Sequence, residues 1–343
     1  MNTLQQLKEF KAKLEPLLES FFNDKIEKAK KINPNSVEMI ELLKEFTLRG
    51  GKRIRAALIY YTYKSITTNN EEEILKASMS IELAHAFLLI HDDIIDQDNM
   101  RRSGPTIHSS YKNIFKDSKN PSHYGTSFAI LAGDILFAFA NEILANINLN
   151  ESNKNKAIQI LNHVVHQVIY GESLDVLSSI KPQTKESLEQ INYLKTASYT
   201  FEGPLHIGAV LANANKPQLE QLSKIAIPLG KAFQLQDDLL DLFSTEEKIG
   251  KPIASDIKEG KKTVLILTTL ENANEEQATF INKCLGNTIT KEDINKLKNI
   301  IIETKAKQQI ESMIKDFITE AKSHCKDNEF LLNLADYMLE RNH

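Results

Sequence analysis

The sequence predicts an all-α protein of 343 residues organised as a single domain. Three observations carry that expectation. Apolar residues recur at three- and four-residue spacing almost throughout, with few alternating β-branched runs. Only 12 glycines and 9 prolines occur, and they fall mainly where the helical period breaks. Nothing resembles a Pro-rich or Ser/Gly-rich interdomain linker, so residues 1–343 are expected to form one bundle of long helices.

The elements follow in order from the breaks. These lie at 31–36, 49–53, 67–72, 118–125, 147–153, 179–183, 212–218 and 244–262, and the segments between them read as helices of roughly 12 to 30 residues. The first, MNTLQQLKEFKAKLEPLLESFF, is charged and helix-periodic, which argues against a signal peptide or anchor. The helix at 71–96 is apolar nearly all round before its acidic end and is expected at the centre of the bundle. The helix at 219–241 has the same design. Their ends echo each other: IHDDIID and LQDDLLD.

Composition narrows the function. The apolar fraction is 41% and the charged fraction 26%, ordinary globular values. A net charge of -4 lacks the basic excess that phosphate-backbone contacts need, so no nucleic-acid partner is expected. No run reads as the roughly 20 apolar residues of a membrane span, and no stable membrane insertion is expected. The two cysteines, Cys284 and Cys325, have no metal-ligand spacing, and a reduced cytoplasmic location is the natural reading.

The aspartates carry the chemistry. Asp92 and Asp96 are i and i+4, on one helix face, near a C-terminus whose dipole disfavours anions. Asp237 and Asp241 repeat that costly arrangement. A cation is the simplest compensation, and carboxylates without Cys or His suit a hard, oxygen-seeking ion. Magnesium prefers one or two carboxylates together with substrate phosphate. A single cluster would more often be a solvated helix end; two, each ending an apolar helix and each followed by basic residues, favour metal and phosphate. Glu82 and His85 form an E-x-x-H pair, half of a di-iron signature, but no second pair exists on another helix, so that site is rejected.

Cations suited to phosphate lie nearby. The loop Arg49-Gly50-Gly51-Lys52-Arg53-Ile54-Arg55 enters a helix, and its glycines permit close backbone approach. Arg101 and Arg102 follow the first cluster, and Asp98 between them and the helix reads as a solvated loop residue. Lys195 and Thr196 open YLKTASY, while Lys251 and Lys261 follow the second cluster. Each alone could be an ordinary solvated side chain; together they supply enough charge for two diphosphates.

At these residues the chain resembles the trans-isoprenyl diphosphate synthases of the geranylgeranyl and farnesyl type. The ordered motifs are GGKRIR (50–55), ELAHAFLLIHDDIID…RRSGPTIH (82–108), AILAGDIL (129–136), LKTAS (194–198), FQLQDDLLD (233–241) and GKP…DIKEGKKT (250–263). The resemblance implies an isoprenoid-synthase type of bundle around a deep central apolar cavity, usually a homodimer, condensing prenyl diphosphates with two or three Mg2+ ions. It assigns Lys52, Arg55, His85 and Arg102 to isopentenyl diphosphate. Arg101, Lys195, Thr196, Gln234, Lys251 and Lys261 go to the allylic diphosphate. Asp92, Asp96 and Asp237 would bind metal, with Asp93, Asp238 and Asp241 supporting them; Asp92, Asp96, Asp237, Lys195 and Arg101 are the implied catalytic set. Two departures stand out: Glu172 where many relatives have Gln, and a longer segment after His108, read as an excursion near the mouth of the site.

In this family, residues upstream of the first cluster set product length. Here these are Phe87 and Leu88, with Ala84 one turn earlier. A single aromatic at the fifth position before Asp92, without an insertion in the cluster, resembles the geranylgeranyl (C20) class. A farnesyl (C15) or longer-chain synthase is the nearest rival. A class I terpene cyclase would not need a second diphosphate site, and a regulatory subunit of a heteromeric synthase tends to lose one cluster.

Overall fold

In a computed structural model, residues 3–178, 180–181, 184–245, 253–325 and 328–340 are described. The all-α expectation holds. In chain order the helices are α1 (Thr3–Ile32), α2 (Val37–Leu48), α3 (Ile54–Ile66), α4 (Glu71–Ile95), α5 (Ile107–Ile114), α6 (Pro121–Asn146), α7 (Glu151–Ser178) and α8 (Lys185–Asn192). A π-helix, Tyr193–Glu202, leads into α9 (Gly203–Leu211). There follow α10 (Lys216–Phe243), α11 (Ser255–Lys258), α12 (Val264–Asn272), α13 (Glu275–Cys284), α14 (Lys291–Glu303), α15 (Ala306–Cys325) and α16 (Glu329–Glu340). The strands β1 (Met100–Arg101) and β2 (Gly104–Pro105) form a minimal antiparallel hairpin that helical periodicity had no means of showing.

The chain forms two compact units, residues 1–162 with 204–215, and 163–203 with 216–343. In the first, α4 packs against α1, α2, α3 and α6. Its buried residues run right round the helix, from Ile74, Ala77 and Ile81 to Leu83, Ala86 and Ile90, as the uniform apolarity of 71–96 requires. Helix α1 buries one stripe instead, Leu7, Phe10, Leu14, Leu18 and Phe22, at helical spacing. Helix α6 starts where Asn120 accepts from the His123 N–H with Pro121 at the first turn. The excursion after His108 is thus mostly helix. Tyr111 of α5 stacks on Phe128 of α6 with ring centroids 4.6 Å apart.

In the second unit α10 packs against the π-helix, α8, α12, α14 and α15. Gly230 permits its approach to the π-helix, since a Cβ there would lie 2.3 Å from the Ala197 Cα. Capping boxes at Thr184/Ser187, Asn274/Gln277 and Thr290/Asp293 start α8, α13 and α14.

One expectation needs correction. By length and composition alone, α4 and α6 are both apolar enough to cross a membrane. The most apolar stretch of α4 is 72% buried within the chain and that of α6 39%, and core helices of water-exposed proteins meet the same test.

Candidate active site

In the first unit the acidic end of α4 meets the hairpin. Arg101 on β1 pairs with Asp92 Oδ2 at 3.0 Å, with Asp93 Oδ1 at shorter range, and with Asp98 Oδ2 at 3.5 Å. Asp98 is therefore part of this cluster and not a solvated loop residue; its carbonyl also accepts from Thr106 Oγ1 at 2.8 Å. Asp96 ends the helix, its N–H donating to the Asp92 carbonyl at 2.8 Å. Burial pushes the Asp93 carboxyl up to about 7 even though Arg101 pulls it down.

The cations assigned to isopentenyl diphosphate lie around the same helix. Gly50 and Gly51 have φ of 66° and 91°, and Arg53 follows at 56° as the residue before α3. The Arg102 guanidinium lies against Gly51, where a Cβ would be 3.3 Å from its Nη1. Arg102 Nη2 donates to His85 Nε2 at 3.5 Å, which makes that nitrogen the acceptor and places the imidazole proton on Nδ1. Burial first, and then Arg55 and Arg102, hold His85 well below its usual range, so it is neutral at pH 7. Lys52 is exposed and Arg55 half-buried. Glu82, the other half of the E-x-x-H pair, is absorbed by Arg53 at 3.0 Å, both side chains being almost fully buried.

Upstream, Ala84 is fully buried and Leu88 half-buried. Phe87 stacks on Phe137 of α6 with centroids 5.2 Å apart, and meets the His91 ring edge-on at 4.8 Å.

In the second unit the π-helix presents Lys195 and Thr196. Such wide turns interrupt the regular ladder and recur at functional sites. Lys195 Nζ pairs with Asp175 Oδ2 at 2.6 Å and Glu172 Oε2 at 2.8 Å, both from α7. Lys261 reaches the same Asp175 oxygen at 3.7 Å and Glu259 at 2.6 Å. Thr196 donates to Gln234 Oε1 at 2.6 Å, and Gln234 Nε2 donates on to Asp238 Oδ1 at 2.9 Å. Burial raises the Asp238 carboxyl well above the usual range, reinforced by Asp256. Asp175, Lys195, Gln234, Asp238, Asp256 and Lys261 line one cavity of about 180 Å3.

Asp237 sits half-buried on α10. Asp241 Oδ1 accepts from the Ser255 N–H at 3.2 Å and from Ser255 Oγ at 2.7 Å, so this carboxylate also anchors the start of α11. Lys251 lies outside the described residues. Asp175 and Asp256 were given no role from the sequence, and Arg49 was read only as part of the basic loop; for Asp175 the i, i+3 pairing with Glu172 inside GESLD was the available hint.

Among the described residues no group of three or more His, Cys, Asp or Glu side chains is gathered closely enough to hold a metal by itself. The carboxylates at each helix end are nevertheless the donor type magnesium takes, one or two at a time, together with substrate phosphate, and Asp93 Oδ2 is buried with no hydrogen-bond partner among the described residues. A buried acceptor of that kind costs stability until a cation or donor completes it.

The scaffold is all-helical, with two aspartate-rich helix ends each beside basic side chains, as the resemblance to prenyl-transferring enzymes led one to expect. The polyprenyl synthetase family pattern matches residues 37–302. A short chain isoprenyl diphosphate synthase of Methanocaldococcus jannaschii is 36% identical over 73% of this chain and 72% of its own. A geranylgeranyl diphosphate synthase of Sulfolobus acidocaldarius is 37% identical over 74% of this chain and 73% of its own. The crystal structure of a geranylgeranyl pyrophosphate synthase from Corynebacterium glutamicum, complexed with isoprenyl diphosphate and magnesium, superimposes with a TM-score of 0.92. It is 31% identical, over 98% of this chain and 99% of that one. The chain belongs to the polyprenyl synthetase family.

Proposed function

We propose that the chain condenses isopentenyl diphosphate with an allylic diphosphate, the whole chain acting as one catalytic domain, and releases geranylgeranyl diphosphate. The observation that carries this reading is the pairing of each aspartate cluster with its own cations. Arg101 is held by Asp92 and Asp93, and Lys195 and Lys261 share a cavity with Asp238. The relatives named as geranylgeranyl diphosphate synthases support the C20 product.

Asp92, Asp96 and Asp237 are the proposed ligands of two or three magnesium ions, supported by Asp93, Asp238 and Asp241. Bound there, magnesium supplies Lewis-acid stabilisation of the charge that develops on a departing diphosphate. Arg101, Lys195, Thr196, Gln234 and Lys261, with Lys251, hold the allylic diphosphate. As its C–O bond breaks, the bonding pair stays on the diphosphate oxygen, and these cations stabilise that oxygen where charge appears. Lys52, Arg55, Arg102 and neutral His85 hold isopentenyl diphosphate, whose double-bond electrons form the new C–C bond to the allylic carbocation; the resulting cation then gives a proton to the released diphosphate and regains a double bond. The apolar wall of α4, with Ala84, Phe87 and Leu88, keeps water from the cation and sets the length at which growth stops.

A homodimer is proposed on the surface of α6, which leaves Ile130 and Leu131 44% and 55% exposed. The buried, unpaired thiols of Cys284 and Cys325 support a cytoplasmic setting. The test is assay of the purified chain alone, with allylic and isopentenyl diphosphates, before and after chelation of divalent metal. Condensation that stops on chelation and returns with magnesium is expected. Cyclised hydrocarbon from the allylic substrate alone, or activity only after a second protein is added, would overturn the proposal.

A further inference from the structure

One side chain fastens the hairpin that carries both active-site arginines, and none of the substrate assignments uses it. Arg49, immediately after α2, directs Nη1 to the Arg101 carbonyl at 3.0 Å and the Pro105 carbonyl at 2.9 Å, one on each strand. Its Nε donates to Glu45 Oε1 at 2.8 Å, its Nη2 is paired with Glu45 Oε2, and its guanidinium lies 5.6 Å from the Phe46 ring centre. The side chain is only 15% exposed. Its backbone takes part as well, because Arg102 Nη1 donates to the Arg49 carbonyl at 3.1 Å.

The hairpin needs such a fastening. Its two turn residues, Arg102 and Ser103, have φ of 50° and 60°. A two-residue turn of this kind favours Asn-Gly, and residues with ordinary side chains enter it at a cost. Each strand contributes only two residues, so the ladder alone holds little. Gly104 has left room for the clasp: a Cβ there would stand 2.4 Å from Arg49 Cζ and Nη1.

We infer that Arg49 is a positioning residue for both diphosphates. By spanning the two strands it fixes Arg101 against Asp92 and Asp93 and holds Arg102 beside His85. The substrate consequence rests on the prenyl-transfer reading; the fastening itself does not.

Two variants and their combination test it: Arg49→Ala, Gly104→Ala, and the double substitution. Gly104→Ala drives the guanidinium off the strands while keeping the arginine, and it serves even where Arg49→Ala folds poorly. Each single variant is expected to raise KM for isopentenyl and allylic diphosphates about tenfold and to lower kcat as well, because the Arg101 it releases also stabilises charge on the departing diphosphate. Hydrogen exchange across 100–106 is expected to quicken about tenfold, with α4 exchange unaltered. The double variant is expected to be no worse than Arg49→Ala, since both changes break one contact. Wild-type KM values in folded Gly104→Ala, or additive losses in the double variant, would overturn the positioning role. Exchange is read without turnover. If the wild-type chain fails to condense prenyl diphosphates, unchanged exchange in both variants refutes the fastening, and faster exchange upholds it while the activity reading alone falls.

Discussion

The amino group of Lys195 stands 2.8 Å from Glu172 Oε2, in an ion pair that joins the π-helix to α7. Asp175 holds the same nitrogen at 2.6 Å, so the lysine assigned to the allylic diphosphate already carries two counter-charges. A diphosphate must compete with them. Glu172→Gln removes one charge and keeps the shape, and a half-buried pair such as this, its side chains 21% and 16% exposed, is worth about 1 kcal/mol. The allylic KM is therefore expected to fall about two- to fivefold, with the isopentenyl KM unchanged; steady-state kinetics with each substrate varied in turn would show it. An allylic KM that rises would mean Glu172 assists binding.

How far the sequence revealed this site depends on the kind of information each residue carries. Asp92 and Asp96 were legible because i, i+4 carboxylates at a helix end are a local pattern with a local cost. The uniform apolarity of 71–96 likewise announced a buried helix, and α4 is one. The Arg101 pairing was not legible. It depends on a hairpin whose positive-φ turn residues are Arg102 and Ser103; the S-G and G-P steps at 103–105 signal a break, but not a reversal that lays Arg101 back against Asp92 and Asp93. Arg101 and Arg102 were read as cations for two diphosphates; Arg101 also proves to pair with Asp92 and Asp93 at the end of α4. The π-turn around Lys195 was equally silent, because YLKTASY keeps an ordinary helical period. Asp241 looked like half of a metal motif and also proves to hold Ser255, a contact between residues 14 apart that spacing does not encode.

Phe87 stacks against Phe137 within the first unit, 6% exposed. If this pair closes the growing chain's path, Phe87→Ala lengthens the product beyond C20. Removing a buried ring costs about 3 to 5 kcal/mol of stability, so folding is to be checked by thermal melting first. Unchanged C20 output from a folded variant, on chromatography of the dephosphorylated alcohols, would remove Phe87 from the floor.

Gly230 carries the close crossing of α10 and the π-helix. In Gly230→Ala the new methyl meets the Ala197 backbone at 2.3 Å, with no flexible side chain to yield. Overpacking of this kind costs about 1 to 3 kcal/mol. A lower melting temperature is expected, together with a higher allylic KM, because Lys195 and Thr196 ride on the displaced turn. An unaltered melting temperature would show that the crossing relaxes freely.

Acid stability has an identifiable contributor in the first unit. Hydrogen bonds from Lys13, then Tyr60 and Lys64, hold the Glu71 carboxyl down to about 2, from an ordinary 4.5. A depressed folded-state value contributes stability that is fully present above the unfolded value and is lost as pH falls through the folded one. The difference in melting temperature between wild type and Glu71→Gln should therefore be constant above about pH 5 and shrink between about 4.5 and 2. A difference that stays constant down to pH 2 would show that Glu71 gains nothing from these partners.

The central claim, that this chain joins isopentenyl diphosphate to an allylic diphosphate and stops at C20, has a direct measurement. Labelled isopentenyl diphosphate is incubated with magnesium, the purified chain and each allylic primer in turn, and the dephosphorylated products are separated by length. Magnesium-dependent label in a C20 alcohol is the predicted result. Label that stays in isopentenyl diphosphate with every primer would contradict the claim that the chain condenses the two, and a dominant C15 or longer alcohol would contradict the assigned length.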